Sequence, residues 1–165
     1  PGGRRGDDAR PFRIMKKALF AGSFDPFTTG HDSIVRRALT IFDGVVIGVA
    51  VNGAKHTMYT TEERVEAIRR LYAGDDRIEV VTCSGLTVEA ARQAGASCLI
   101  RGVRTLADYE AVRVMAHYNR RIGHMETLLM FTLPELEDVS STAVKELMRL
   151  GYPTDEFIPH KDDNI

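Results

Sequence analysis

The run Val45-Val46-Ile47-Gly48-Val49-Ala50-Val51 constrains the fold of this chain more than any other stretch. Every position is apolar or glycine, so the segment has no face to offer water. It falls far short of the ~20 residues that span a bilayer. Strands apolar on both faces belong to parallel sheets covered by helices above and below. Similar runs recur at 17–22, 78–83, 98–100 and 127–133. Between them the hydrophobic period changes to that of amphipathic helices. Ile34, Val35, Ala38, Leu39 and Phe42 mark a helix over 31–42. Thr60-Thr61-Glu62-Glu63 is a capping box, followed by the stripe Val65, Ile68, Leu71 and Tyr72. Residues 87–94 form a helix stopped by Gly95. Asp108 is expected to cap a helix whose inner face is Tyr109, Val112, Met115 and Ala116. Ser140 and Ser141 cap a last helix carrying Val144, Leu147 and Met148, stopped by Gly151 and Pro153. Five strand-to-helix alternations predict an α/β fold. It is a single Rossmann-like domain, with a five-stranded parallel sheet and helices on both faces.

The charge balance narrows the function. There are 22 Lys and Arg against 23 Asp and Glu, a net charge of −1. That removes the bulk positive charge on which nucleic-acid binding relies, but not a local anion site. Residues 1–14 lack the apolar core of a signal peptide. They are expected to be a disordered or vector-derived extension, with the domain occupying 15–165. Cys83 and Cys98 lie inside strand-like runs and are expected to be free, buried thiols of a reducing compartment. His56, His117 and His124 show no metal-ligand spacing. No membrane partner is expected.

Ligands of such folds bind beyond the carboxyl ends of the strands. Ser23, Asp25 and His31 follow the first strand, and Asn52 and Lys55 the second. Ser84 and Thr87 follow the third, Arg101 and Arg104 the fourth, Ser140 and Ser141 the fifth. Hydroxyls and cations from five segments thus meet at one sheet edge. Cations so placed repel one another unless an anion lies among them, and a phosphate-rich ligand is the simplest. Within the loop 22–31, Gly22 permits close approach of other atoms. The following helix start offers amides and partial positive charge to an anion. No Gly-Lys-Ser/Thr and no G-x-G-x-x-G is present, so P-loop and dinucleotide-binding readings lose support. Asp25 is expected to be structural, bonding turn amides beside Pro26.

GSFDPFTTGH at 22–31 resembles the first signature of the nucleotidylyltransferase superfamily, T/H-x-G-H. Val139-Ser140-Ser141-Thr142-Ala143-Val144-Lys145 resembles its second, I-S-S-T-x-x-R/K, about 110 residues later. Between them stand Arg101-Gly102-Val103-Arg104-Thr105-Leu106-Ala107-Asp108-Tyr109-Glu110 and His117-Tyr118-Asn119-Arg120. The combination is similar to the bacterial phosphopantetheine adenylyltransferases. The resemblance implies transfer of AMP from ATP to 4′-phosphopantetheine, giving dephospho-coenzyme A and pyrophosphate, with Mg²⁺, by a cytoplasmic homohexamer. It implies that Ser23, Phe24, His31, Gly102, Val103 and Arg104 contact ATP. Leu136, Glu137, Asp138, Val139, Ser140, Ser141 and Thr142 would surround its adenine and phosphates. Ser23, Lys55, Thr87, Arg101, Asn119 and Glu146 would hold the acceptor. His31, Lys55 and Arg104 would be the catalytic set.

Two departures stand out. Where the family commonly reads D-F-E-Y-E, this chain has Asp108-Tyr109-Glu110-Ala111-Val112, so a carboxylate that contacts the nucleotide becomes valine. The stretch before the second signature reads Glu135-Leu136-Glu137-Asp138, without the family's usual aromatic and serine. The alternatives are a nicotinamide-mononucleotide adenylyltransferase, a cytidylyltransferase, or a nucleotide-binding module without turnover.

Overall fold

The computed structural model describes residues 15–51 and 56–161, so the N-terminal extension, Asn52 and Lys55 lie outside the described residues. Five strands alternate with helices: β1 (Lys17–Gly22), α1 (Thr29–Ala38), β2 (Gly44–Ala50), α2 (Thr61–Leu71) and β3 (Ile78–Cys83). The series continues with α3 (Thr87–Gln93), β4 (Cys98–Val103), α4 (Leu106–Gly123), β5 (Glu126–Phe131) and α5 (Ser141–Arg149). Short 3-10 turns span Pro134–Leu136 and Asp155–Phe157. All strand pairs are parallel, in the order β3-β2-β1-β4-β5. The expected α/β architecture is therefore present, and the strand order reverses between β1 and β4.

Alternation along β1 explains the two cores. Ala18 and Phe20 join Ile34 and Val35 of α1 and Ile68 of α2 on one side of the sheet. Leu19 and Ala21 join Val88 and Ala91 of α3 on the other. Full burial of a side chain such as Leu19 or Ile47 contributes about 1.5–3 kcal/mol. β2 has no spare room: a Cβ added at Gly48 would lie 2.5 Å from Cys83 Sγ. Gly48→Ala should therefore lower stability by about 1–3 kcal/mol through overpacking, and Cys83→Ala should recover part of that loss in denaturant titrations. Both cysteines are free and buried, and burial pushes their thiols up.

Caps and faces differ from expectation in three places. β4 continues through Val103, so Arg101 and Gly102 are strand residues rather than loop residues. α1 ends at Ala38, and Phe42 reaches the core only after a turn. Thr105, not Asp108, caps α4. Its hydroxyl accepts the Asp108 amide at 3.1 Å, while Asp108 Oδ2 accepts the Thr105 amide at 3.3 Å. The threonine three residues earlier takes the cap because an acidic residue at the third position completes a box. The expected inner face of α4 is also corrected. Val112 is buried, but Tyr109 and Met115 are exposed, Met115 by 54%. α4 packs on β4, β5 and α3, and β5 is the sheet edge, so much of its outer face is exposed among the described residues. Val114, Tyr118 and Ile122 of α4 and Leu128, Leu129 and Phe131 of β5 are exposed with them.

Candidate functional site

A cleft of about 310 Å³ opens where the strand order reverses, beyond the ends of β1 and β4. Its walls come from both signatures and from the end of β4: Phe24, Thr28, Gly30 and His31, then Arg101, Gly102 and Arg104, then Val139, Ser140, Ser141 and Thr142. Crevices at such a switch point form because neighbouring strands send their loops in opposite directions.

His31 is the third residue of α1, and its Nδ1 accepts the Thr28 amide at 3.0 Å. The bond is the one Glu63 makes to Thr60 at the start of α2, so T-x-G-H is a capping box with histidine in the acidic place. Because Nδ1 accepts from a backbone N–H, the neutral ring carries its proton on Nε2. Phe24 and Phe27 flank the ring at centroid distances of 5.0 and 5.3 Å. Burial, then the charges of Arg104 and Arg101, lowers its pKa from 6.5 to about 4. His31 is thus a neutral donor near pH 7. The crowding of cations expected from the sequence is relieved by one of them losing its proton.

Phe24 holds a left-handed backbone, φ 48°, and a Cβ at Gly22 would stand 2.9 Å from its ring. Gly22 is required because that ring folds back over it. Arg101 Nη1 donates to the Ala21 carbonyl at 3.0 Å. Burial pulls the guanidinium pKa down, opposed by Asp108. Arg104 is held by Asp108, whose Oδ2 lies 3.3 Å from Arg104 Nε and accepts the Arg104 amide at 3.1 Å. The serine hydroxyls of the second signature are engaged. Ser140 Oγ accepts the Ala143 amide at 3.1 Å, and Ser141 Oγ donates to the Pro26 carbonyl at 2.7 Å. The amides of Ser141 and Thr142 at the start of α5 remain as anion donors.

A second cavity of about 120 Å³ adjoins the first, lined by Thr87, Arg101, Val112, Asn119 and Thr127 among others. Asn119 Nδ2 donates to Thr127 Oγ1 at 3.3 Å. Arg101 and Val112 line both cavities. Three of the expected acceptor contacts, Thr87, Arg101 and Asn119, are thereby brought together. Other expected site residues are not in these walls. Ser23 turns its carbonyl to Arg64, and Val103 is buried at the end of β4. Leu136 ends a 3-10 turn, with Glu137 and Asp138 exposed after it. Glu146 faces solvent 3.5 Å from Arg149.

Two sets of contacts escaped the sequence reading. Asp25 is structural as expected, but the amides it accepts, Met58 at 2.8 Å and Tyr59 at 2.9 Å, belong to the loop before α2 rather than to its own turn. Its third partner is Lys145 Nζ at 3.0 Å, which ties the first signature to the second. The signal available was Lys145 itself, the basic residue that closes the second signature. Arg64 carried no signal, since an arginine beside an apolar stripe reads as a solvated side chain.

Residues 19–147 match the cytidylyltransferase-like family model. The chain is 46% identical over 145 residues to a phosphopantetheine adenylyltransferase of Phocaeicola vulgatus, covering 88% of this chain and 96% of that one. It is 48% identical over 147 residues to a phosphopantetheine adenylyltransferase of Porphyromonas gingivalis, with the same coverage. Among solved structures, the crystal structure of a bifunctional NMN adenylyltransferase/ADP ribose pyrophosphatase complexed with AMP and Mn ion from Francisella tularensis matches with TM-score 0.62 at 13% identity. That match covers 88% of this chain and 44% of the other, and it shows the fold alone.

Proposed function

The chain belongs to the phosphopantetheine adenylyltransferases, within the cytidylyltransferase-like family, and on that premise we propose how its two cavities carry out the reaction. It transfers the adenylyl group of ATP to the phosphate of 4′-phosphopantetheine, giving dephospho-coenzyme A and pyrophosphate. The observation that carries the site assignment is that Arg101 and Val112 line both cavities. Nucleotide in the larger cavity and acceptor in the smaller then share one wall, with a guanidinium between two anions.

The acceptor phosphate attacks the α-phosphorus, and pyrophosphate departs from the far side. The acceptor is already ionised near neutral pH, so no general base is needed. Placement and charge stabilisation supply the rate, and placement alone is worth roughly 7–11 kcal/mol at the upper end. His31 Nε2–H donates to the α-phosphate oxygens as charge builds on them. Arg101 and Lys55 neutralise the acceptor phosphate. Arg104, steered by Asp108, and the amides opening α5 hold the β- and γ-phosphates. Phe24, Gly102, Val139 and Thr142 shape the nucleotide side, with Ser23, Val103, Leu136, Glu137 and Asp138 around it. Thr87, Asn119 and Glu146 serve the acceptor arm. Lys55 and Glu146 enter on their family positions alone.

Mg²⁺ is proposed to arrive as part of the MgATP substrate. Among the described residues no cluster of three or more His, Cys, Asp or Glu could cage an ion. Asp108, the carboxylate in the cleft wall, is already held by Arg104. A cation dressed by phosphate oxygens and water fits such a wall. A cytoplasmic homohexamer is likewise proposed. The exposed large apolar side chains of α4 and β5 support self-association, since monomers rarely leave large apolar patches open. Among the described residues no helix is long and apolar enough to cross a membrane.

The test is to incubate the protein with MgATP and, separately, phosphopantetheine, nicotinamide mononucleotide or no acceptor, following pyrophosphate and product mass. Dephospho-coenzyme A from the first arm alone is expected. Pyrophosphate only with the mononucleotide would reverse the acceptor assignment. Lys55→Ala should raise KM for phosphopantetheine by about tenfold or more while leaving ATP affinity within about threefold. Equal weakening of both would remove Lys55 from the acceptor side.

A further inference from the structure

Arg64 is 4% exposed, and among the described residues no carboxylate pairs with it. A buried cation in that condition is unfavourable unless its nitrogens find acceptors. Its guanidinium reaches four acceptors. Nε donates to the Thr60 carbonyl at 3.2 Å and Nη2 to Thr61 Oγ1 at 3.0 Å. Nη1 donates to the Ala50 carbonyl at 3.1 Å and to the Ser23 carbonyl. These acceptors lie on three separate segments: the end of β2, the start of α2 and the loop after β1. Only a planar fork satisfies such a set, and an ammonium does not.

The Ser23 contact has a consequence for the cleft. The Ser23–Phe24 peptide is trans, so fixing its carbonyl on Arg64 turns the Phe24 N–H the opposite way. Among the described residues that amide donates to no protein acceptor. Phe24 also holds the positive φ that needs outside support, and its ring meets His31 edge-on at 5.0 Å. We propose that Arg64 is a positioning residue for adenylyl transfer: its grip on the Ser23 carbonyl sets the peptide plane and ring of Phe24 against which His31 is held. The proposal rests on His31 acting at the reacting phosphate. It assigns Arg64 no contact with either substrate.

The experiment compares the full-length wild type with Arg64→Lys, measuring kcat, ATP dissociation constant and thermal midpoint. Arg64→Lys keeps the charge but not the fork. Expected is a folded variant whose kcat falls about 30-fold or more while ATP affinity stays within about threefold. A folded variant with kcat within about twofold of wild type overturns the proposal, as does equal weakening of kcat and ATP affinity. Should Arg64→Lys fail to fold, Thr61→Val carries the test, since it removes only the hydroxyl that accepts from Nη2. A kcat lowered about three- to fivefold with ATP affinity unchanged supports the proposal, and an unchanged kcat overturns it. Wild type that makes no dephospho-coenzyme A refutes the reaction itself, an outcome distinct from an active wild type with an unaffected variant.

Discussion

His31→Ala is expected to turn over about 10²–10³-fold more slowly than wild type while binding ATP nearly as well, a loss of about 3–4 kcal/mol in the barrier. The split follows from the geometry. Nδ1 is occupied by the Thr28 amide, so Nε2–H is the group left to meet charge that develops only during transfer. His31→Gln separates this role from the helix start. Glutamine at the third position of a capping box can still accept the Thr28 amide, so His31→Gln should keep the stability that His31→Ala loses, yet turn over as poorly. Steady-state kinetics, ATP titration and a denaturation midpoint on the two variants decide it. A variant with unchanged turnover would exclude His31 from the mechanism. The lowered pKa adds a signature in the absence of ligand. Between pH 6.5 and about 4 the unfolded chain holds a proton on this ring that the folded chain refuses. Acid therefore favours unfolding across that window, and the contribution is intact above pH 6.5. His31→Gln should flatten that part of the stability profile.

Asp25→Ala should lose about 3–5 kcal/mol of stability, the largest effect of any single change named here. Asp25 is 2% exposed, and its two oxygens accept the Met58 and Tyr59 amides and the Lys145 ammonium. Removing it strands two amides and a half-buried cation and releases the start of α2 and the body of α5 together. Asp25→Asn, which keeps the shape but not the charge, should lose less, because a neutral oxygen still accepts one amide. A chemical denaturation series on both variants checks the order. Asp25→Ala within about 1 kcal/mol of wild type would show that the clamp is not needed. Burial alone would raise the Asp25 pKa, but the two amides and Lys145 outweigh it and hold the carboxyl below 3.8. Its contribution is thus fully present above that value and lost as pH falls through the lower folded pKa.

How much of this was legible beforehand depended on range. The strands were readable because each carries apolar residues on both faces, a local property of six or seven positions. The cap at Thr60 and Glu63 was readable for the same reason. α4 misled, because Tyr109 and Met115 have helical spacing. Whether a stripe meets a sheet depends on how many strands lie beneath it, and β5 is the last. Ser140 was legible as the cap of α5, but the acceptor that takes the Ser141 hydroxyl, the Pro26 carbonyl, lies 115 residues away.

Local chemistry along the chain therefore determined the elements, their order, the two signatures and the edge of the sheet at which cations gather. Those are matters of side-chain period and of short-range bonding, which a one-dimensional string contains. The tertiary structure alone decided that His31 is neutral with its proton on Nε2, that Arg101 lines two cavities, and that Asp25 and Arg64 join loops far apart in sequence. Protonation and burial are set by what surrounds a group in three dimensions. The charges lowering the His31 pKa belong to Arg101 and Arg104, brought beside it only when β4 aligns next to β1.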